Sequence, residues 1–264
     1  MTVTGVDGAT AVRVGLEYVS SVGEDDAAAI VAERERGGPY RDVRDLAQRA
    51  PVGEPALEAL VASGACDSFG SPRRTLLWEL GLVPRSTSVP GSGGSERQLA
   101  LPLEPTVETP ELPPQTPWER MLADYRTTSL SVGTHPLELL RPHLPPGTLS
   151  SRELLELPHG RRVCVAGFTV ARQRPSTAKG VVFMLVEDEF GQMNLIVPPP
   201  VYERFRPIVR GEPLLIARGR YERVDRNRNV LVTELETLGP LARRIAGETD
   251  VHGSLPTAHH FGHR

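Results

Sequence analysis

The chain has 264 residues, of which 39% are hydrophobic, 25 are proline and 25 are glycine, and its formal net charge is −3. This length allows two modest domains and a linker, and the proline and glycine content predicts a sizeable unstructured share. No apolar run approaches membrane-spanning length, and the N-terminus lacks the basic and apolar regions of a secretion signal. Cys66 and Cys164 fit no metal or redox spacing, so we expect two buried free thiols in a reducing cytoplasm.

Residues 11–83 carry apolar residues at helical spacing and predict a small all-α domain. The first clear helix is expected to end at Gly37-Gly38-Pro39, and further helices are predicted from Val43, over Pro55 to Ala62 and over Arg74 to Leu80. Residues 1–83 hold 8 basic and 13 acidic side chains, so this part of the chain is acidic.

Val22 and Gly23 have the form of the turn in a helix-hairpin-helix motif. In that motif the backbone N–H groups of the turn and of the next helix face a DNA phosphate. Ser21 stands where the motif usually has its first glycine, and an acidic triplet at 24–26 lies where the phosphate would bind. Acidic side chains suit a helix N-terminus but repel DNA. The hairpin is therefore either a DNA contact or a packing hairpin that binds nothing.

Residues 84–117 contain eight prolines and a Gly/Ser run at 91–95, which predicts a disordered linker. Within it lies one apolar island, formed by Gln98, Leu99, Leu101 and Leu103. A short extended peptide of this kind can dock in a hydrophobic groove. The island resembles the hexapeptide with which bacterial proteins bind the sliding clamp; the alternative is a chance apolar run.

Residues 118–160 are predicted to form a helical connector, residues 161–239 a five-stranded β barrel, and residues 240–264 an irregular tail. The barrel region reads as three strands, one helix and two strands, which is the order of an OB-fold. Such barrels bind single strands on the second and third strands and with the loops between strands one and two and strands four and five.

The barrel region also carries the only net positive charge of the chain. Residues 161–228 hold 13 basic and 7 acidic side chains, and all but one of the basic residues are arginines, whose planar fork suits phosphate. The predicted DNA-binding residues are Arg172, Arg174, Lys179, Phe183, Arg218, Arg220, Arg223, Arg226 and Arg228. Phe183 is expected either to stack on a base or to lie in the core. Because aromatic residues make up only 5% of the chain, we expect mainly electrostatic, salt-sensitive binding.

No catalytic, metal or cofactor site is predicted. The run Glu187-Asp188-Glu189 lies at a turn between two strands and has no further acidic or histidine partner in view, so we expect a solvated turn. No Asp-x-Asp pair occurs anywhere in the chain, although phosphoryl transfer by two metal ions needs such a carboxylate clamp.

Short collinear motifs cover nearly the whole chain. They include Val12-Arg13-Val14-Gly15-Leu16, Pro39-Tyr40-Arg41-Asp42-Val43, Gln173-Arg174-Pro175 and Phe183-Met184-Leu185-Val186-Glu187-Asp188. This succession resembles the C-terminal region of the bacterial C-family DNA polymerases of the DnaE type, and is most similar to their error-prone paralogue used in damage tolerance.

The resemblance implies that the helical domain contacts duplex template–primer, that the linker holds the clamp and that the barrel takes single-stranded template. Because the palm carboxylates are absent, we expect a non-catalytic, DNA-binding module in the cytoplasm, without membrane partners. Two alternatives stay open. One is an adapter for the sliding clamp or other mutasome proteins. The other is a tRNA-binding OB module, because Phe183 with Asp188 and Gly191 resembles the anticodon-binding domains of some synthetases.

Overall fold

The computed structural model describes residues 2–6, 9–83, 110–131, 133–224, 227–247, 255–256 and 258–261. The chain forms two compact units, Met1–Thr116 and Pro117–Arg264. The apolar island of the linker, with Gln98, Leu99, Leu101 and Leu103, lies outside the described residues.

The first unit combines a short β hairpin with four helices. Strands β1 (Thr2–Val6) and β2 (Ala9–Arg13) pair antiparallel, and a 3-10 turn at Leu16–Tyr18 follows. The helices are α1 (Glu24–Gly37), α2 (Val43–Arg49), α3 (Glu54–Ala62) and α4 (Arg73–Gly81). The four helices confirm the sequence prediction, whereas the hairpin is an addition that helical spacing did not reveal.

Local signals set the helix boundaries of this unit. Gly38 adopts φ +81° just beyond α1, a conformation that side chains with a Cβ rarely take. The carboxylate of Asp42 accepts a hydrogen bond of 2.7 Å from the backbone N–H of Asp45 and so caps α2. The apolar faces of the helices meet in one core that includes Val43, Leu57 and Val61.

The second unit contains the barrel and the helices around it. Its helices are α5 (Pro117–Thr128), α6 (Pro136–Leu140), α7 (Ser151–Leu155), α8 (Pro199–Arg204), α9 (Arg206–Gly211) and α10 (Gly239–Ala246). Its strands are β3 (Thr148–Leu149), β4 (Arg162–Gln173), β5 (Val182–Asp188), β6 (Gly191–Val197), β7 (Leu214–Val224), β8 (Asn227–Thr237) and β9 (His259–Phe261).

Strands β4 to β8 form a closed barrel in the order β4-β5-β6-β8-β7, and β7 returns to β4. All neighbours are antiparallel except β6 and β8, which run parallel. Strand β4 closes the barrel because its first part pairs with β7 and its last part with β5, with a register shift between Thr169 and Ala171. This arrangement confirms the predicted OB-fold.

A second register shift lies in the β7–β8 ribbon between Arg218 and Gly219. A Cβ on Gly219 would come within 2.2 Å of the carbonyl oxygen of Leu231. Only glycine allows the two strands to approach this closely.

Helices flank the barrel on one side and share a second core with it. Trp118 and Met121 of α5, Leu137 of α6 and Ala242 of α10 form one apolar core together with Phe168 of β4. The prediction of an irregular tail from residue 240 is therefore wrong for α10, and β9 pairs parallel with residues 171–173 of β4. Local pattern does not predict either segment, because each is held in place by its contacts with the barrel.

Candidate nucleic-acid interface

The flanking helices leave part of the outer barrel surface open. They cover apolar residues on the outside of β4 and β7, such as Phe168 and Ile216. On β5, Val182, Met184 and Val186 point into the barrel core, so the alternating residues between them point outward. The open surface is consequently formed by the outer faces of β5, β6 and β8.

One row of residues crosses this open face. Phe183 on β5 lies opposite Gln173 of β4 on one side and Ile196 of β6 on the other. Ile196 lies beside Leu231 of β8, which lies opposite Arg220 of β7. At a strand spacing of about 4.8 Å, three steps separate Phe183 from Arg220, or about 14 Å. The row thus joins an aromatic ring to a guanidinium through two half-buried aliphatic side chains.

Phe183 is 39% exposed, which places it on the surface rather than in the barrel core. The alternating burial of β5 explains the position, because its neighbours Val182 and Met184 are both buried. An exposed phenyl ring on a sheet face can stack on a nucleobase.

The prediction that Arg172 belongs to an exposed loop is wrong. Strand β4 continues to Gln173, and Arg172 lies opposite Met184 of the core, with only 6% of its surface exposed. Its guanidinium donates a hydrogen bond of 2.5 Å to the backbone carbonyl of Glu212. Burial lowers the pKa of Arg172, and the charge of Glu212 partly opposes this.

The rest of the first basic loop folds against α8. The guanidinium of Arg174 lies 4.5 Å from the ring centre of Tyr202, a cation–π contact that occupies one face of the group. Lys179 is exposed and follows a 3-10 turn at Ser176–Ala178 with φ +48°, a left-handed conformation that is uncommon for lysine. The loop therefore contributes Lys179 and the free edge of Arg174 to the surface.

The arginines of the β7–β8 ribbon differ in their surroundings. Arg218 is paired with Glu236 at 3.2 Å and Arg220 with Glu222 at 2.9 Å. The remaining predicted residues of this ribbon lie at its tip: Arg223 and Arg228 are exposed and directly opposite each other, and Arg226 lies outside the described residues.

Two further arginines belong to the same end of the barrel and were missed by the sequence analysis. Arg162 begins β4 and lies directly opposite Arg220, and Arg161 precedes it; both are exposed. An Arg-Arg pair at the start of a strand is visible in the sequence, but the pairing of β4 with β7 that brings it to the ribbon is not. We name this group the basic corner; it consists of Arg161, Arg162, Arg220, Arg223 and Arg228.

The turn of the helix-hairpin-helix motif, at residues 21–23, binds a carboxylate of its own chain. Gly23 caps α1, and its backbone N–H donates a hydrogen bond of 3.1 Å to the carboxylate of Asp26. Val22 is buried in the core. Ser21 takes φ +67°, so the turn keeps a left-handed residue although it is not glycine. The carboxylate of Asp26 thus lies at the N–H group that a bound phosphate would use.

The prediction of a solvated turn at Glu187-Asp188-Glu189 is wrong for Asp188. Asp188 is buried, and its carboxylate accepts hydrogen bonds from the backbone N–H and the hydroxyl of Ser151, both at 2.6 Å. It also accepts from Gly191 N–H at 3.1 Å, and Arg141 binds both Asp188 and Glu189. Asp188 therefore ties α7 to the barrel.

The described residues contain no group of three histidine, cysteine or acidic side chains that could hold a metal ion. Among the described helices, none is both long and apolar enough to cross a membrane.

Comparison with known proteins shows which proteins this chain resembles. A family model described as a helix-hairpin-helix motif matches residues 1–76. The error-prone DNA polymerase of Anaeromyxobacter sp. (strain K) is 42% identical over 237 residues, which are 89% of this chain and 20% of that protein. Over most of its length the chain is similar in sequence to error-prone DNA polymerases. The error-prone DNA polymerase of Pseudomonas fluorescens (strain Pf0-1) is 38% identical over 89% of this chain and 22% of that protein.

The chain thus spans about a fifth of the length of the error-prone DNA polymerases that it matches, consistent with their C-terminal region. The resemblance expected from the collinear motifs is confirmed. Among solved structures, asparaginyl-tRNA synthetase from Pyrococcus horikoshii is 20% identical with a TM-score of 0.31, over 34% of this chain and 23% of that chain.

Proposed function

We propose that this chain is a non-catalytic, DNA-binding module of an error-prone DNA polymerase system, and that its barrel binds single-stranded DNA. The row from Phe183 to Arg220 carries the proposal. A stacking ring, an apolar strip and a cation on one open face are the parts that a sequence-tolerant single-strand site needs. The relation to error-prone DNA polymerases supports DNA as the nucleic acid.

The face suits single strands better than duplex for a physical reason. Phe183 can stack only on a base whose face is uncovered, and in a duplex the bases cover one another. Ile196 and Leu231 extend the apolar surface beside the ring. The phosphates would then meet the arginines at the end of the row.

The test is a fluorescence anisotropy titration of the full chain with a labelled oligo-deoxythymidine. Phe183→Ala is expected to weaken binding by about tenfold, because one base–aromatic stack is worth about 1–3 kcal/mol. Phe190→Ala is the matched control, since Phe190 is 46% exposed but lies in the β5–β6 turn, at the other end of β5. Equal binding by the wild type and Phe183→Ala would contradict the proposal.

The same titration separates the alternatives. A preference for an oligoribonucleotide of equal length would favour the tRNA-binding module. Absence of binding to any oligonucleotide would favour the protein-interaction adapter. A nucleotide-incorporation assay on a primed template should give no product, because the chain has no Asp-x-Asp clamp.

Clamp binding by the linker island belongs to the same proposal and rests on sequence alone. Leu101 and Leu103 would fill an apolar pocket, and Gln98 would make the polar contacts. A pull-down with purified sliding clamp should retain the wild type and lose the double variant Gln98→Ala/Leu101→Ala. Equal retention of both proteins would remove this part of the proposal.

A further inference from the structure

The basic corner collects like charges that the fold sets face to face. Arg162 of β4 lies directly opposite Arg220 of β7, and Arg223 of β7 lies directly opposite Arg228 of β8. Residues directly opposite in an antiparallel pair point to the same face of the sheet, and like charges there repel each other. Each of these two facing pairs therefore adds repulsion at this end of the free barrel. Arg220 and Arg223 lie three positions apart on β7, so the two pairs project from opposite faces of that strand.

Internal carboxylates compensate little of this charge. Of the five arginines in the corner, ion pairing within the described part of the chain reaches only Arg220, through Glu222 at 2.9 Å. The other end of the ribbon differs, since Arg218 is paired with Glu236 and Glu234 lies beside it. The positive charge of the ribbon is thus concentrated at its tip.

The backbone that carries the corner is held firmly. Just before β4, the carbonyl of Arg161 accepts a hydrogen bond of 2.8 Å from Tyr221 N–H, and Gly160 N–H donates to the carbonyl of Tyr221 at 2.7 Å. Tyr221 itself is fully buried in the barrel core. The backbone N–H of Arg223 donates to Nδ1 of His159 at 3.1 Å. The arginines therefore project from fixed positions, which reduces the conformational cost of binding a polyanion.

We propose that the basic corner is the main phosphate-binding site of the barrel, and that a single strand runs from Phe183 across β6 and β8 to Arg161 and Arg162. The inference rests on the proposed single-strand function and assigns the backbone contact to the start of β4, rather than to the loop that contains Arg174 and Lys179. Bound phosphates reduce the repulsion between the facing arginines. Binding therefore removes an unfavourable interaction of the free protein, and this strengthens the complex.

The decisive variant is Arg161→Ala/Arg162→Ala, assayed by oligo-deoxythymidine binding across a series of salt concentrations. Each lost phosphate contact lowers the slope of log affinity against log salt by about 0.7 for single strands, so the double variant should lose about 1.4. Its thermal midpoint should equal or exceed that of the wild type, because repulsion is removed. A merely structural role would lower the midpoint and leave the slope unchanged.

The matched control is Arg204→Ala/Arg210→Ala, which removes two exposed arginines from α8 and α9 and should leave the slope unchanged. Glu222→Gln supplies a gain of function, since it releases Arg220 and should steepen the slope and tighten binding. If Arg161→Ala/Arg162→Ala keeps the wild-type slope while Phe183→Ala still weakens binding, the basic corner is not the main phosphate-binding site and the proposed function stands. If the wild type binds no oligonucleotide, both fail.

Discussion

Arg172 and Glu212 lie 40 positions apart, and the guanidinium of the first donates a hydrogen bond to the backbone carbonyl of the second. The same carbonyl accepts from the hydroxyl of Thr169 at 3.2 Å. The contact joins the end of β4 to the residue that follows α9. An arginine that local sequence assigns to a DNA-binding loop is therefore a structural tie.

We predict that Arg172→Ala lowers the free energy of unfolding of the second unit by about 1–3 kcal/mol, because the Glu212 carbonyl loses a donor and a void remains. Urea denaturation measures the loss. Arg172→Met should cost less, since it fills the space without a buried charge. A stable Arg172→Ala protein with a reduced salt slope for oligonucleotide binding would contradict this role.

Asp188→Asn should destabilise the second unit by about 2–3 kcal/mol, because an amide cannot accept all the hydrogen bonds that the buried carboxylate receives. Ser151 and Arg141 would both lose a charged acceptor. Thermal denaturation provides the measurement, with the more exposed Glu189→Gln as the comparison. Equal losses for the two variants would show that burial of Asp188 is not the cause.

Ser21→Gly should stabilise the first unit by about 0.5–1 kcal/mol. Ser21 has φ +67°, where a Cβ is strained and glycine is not. Ser20→Gly is the control, because Ser20 has no positive φ and glycine there adds only unfolded-state entropy. The two variants should shift the thermal midpoint in opposite directions, and a parallel shift would argue against strain at Ser21.

Gly219→Ala should destabilise the barrel by about 3 kcal/mol or more, because the added Cβ would meet the backbone of Leu231. Gly211→Ala is its control: at the end of α9, a Cβ meets nothing within 4 Å. Circular dichroism melts of both variants make the comparison. A mild effect at Gly219 would mean that the ribbon can open at its bulge.

Cys66 should not react with thiol reagents near neutral pH while the first unit is folded. Burial, assisted by the charge of Asp67, raises the pKa of the Cys66 thiol to about 12, so almost no thiolate is present. Cys164 is only half-buried and should react first. Labelling followed by peptide mass analysis tests this order, and Cys164→Ser should leave a folded protein that labels only after urea is added.

Local chemistry made much of the fold predictable. Gly38 follows the end of α1 and Pro55 lies in the first turn of α3, and these signals act within a few residues. Alternating apolar residues located the barrel strands, but alternation alone left open which face of β5 is buried. Phe183 could be placed only once the core residues Met184 and Val186 were seen to fill the barrel.

The sequence alone determined the four helices of the first unit, the order of the five barrel strands, the similarity to error-prone DNA polymerases and the excess of basic over acidic residues in the barrel region, because each can be read from local stretches of the chain. Tertiary structure alone decided which arginines are usable. Strand closure buries Arg172, Glu236 pairs with Arg218 and Glu222 with Arg220, and the pairing of β4 with β7 brings Arg162, which forms no ion pair among the described residues, beside Arg220. Charge is a property of composition, but its availability depends on contacts between residues far apart in the chain.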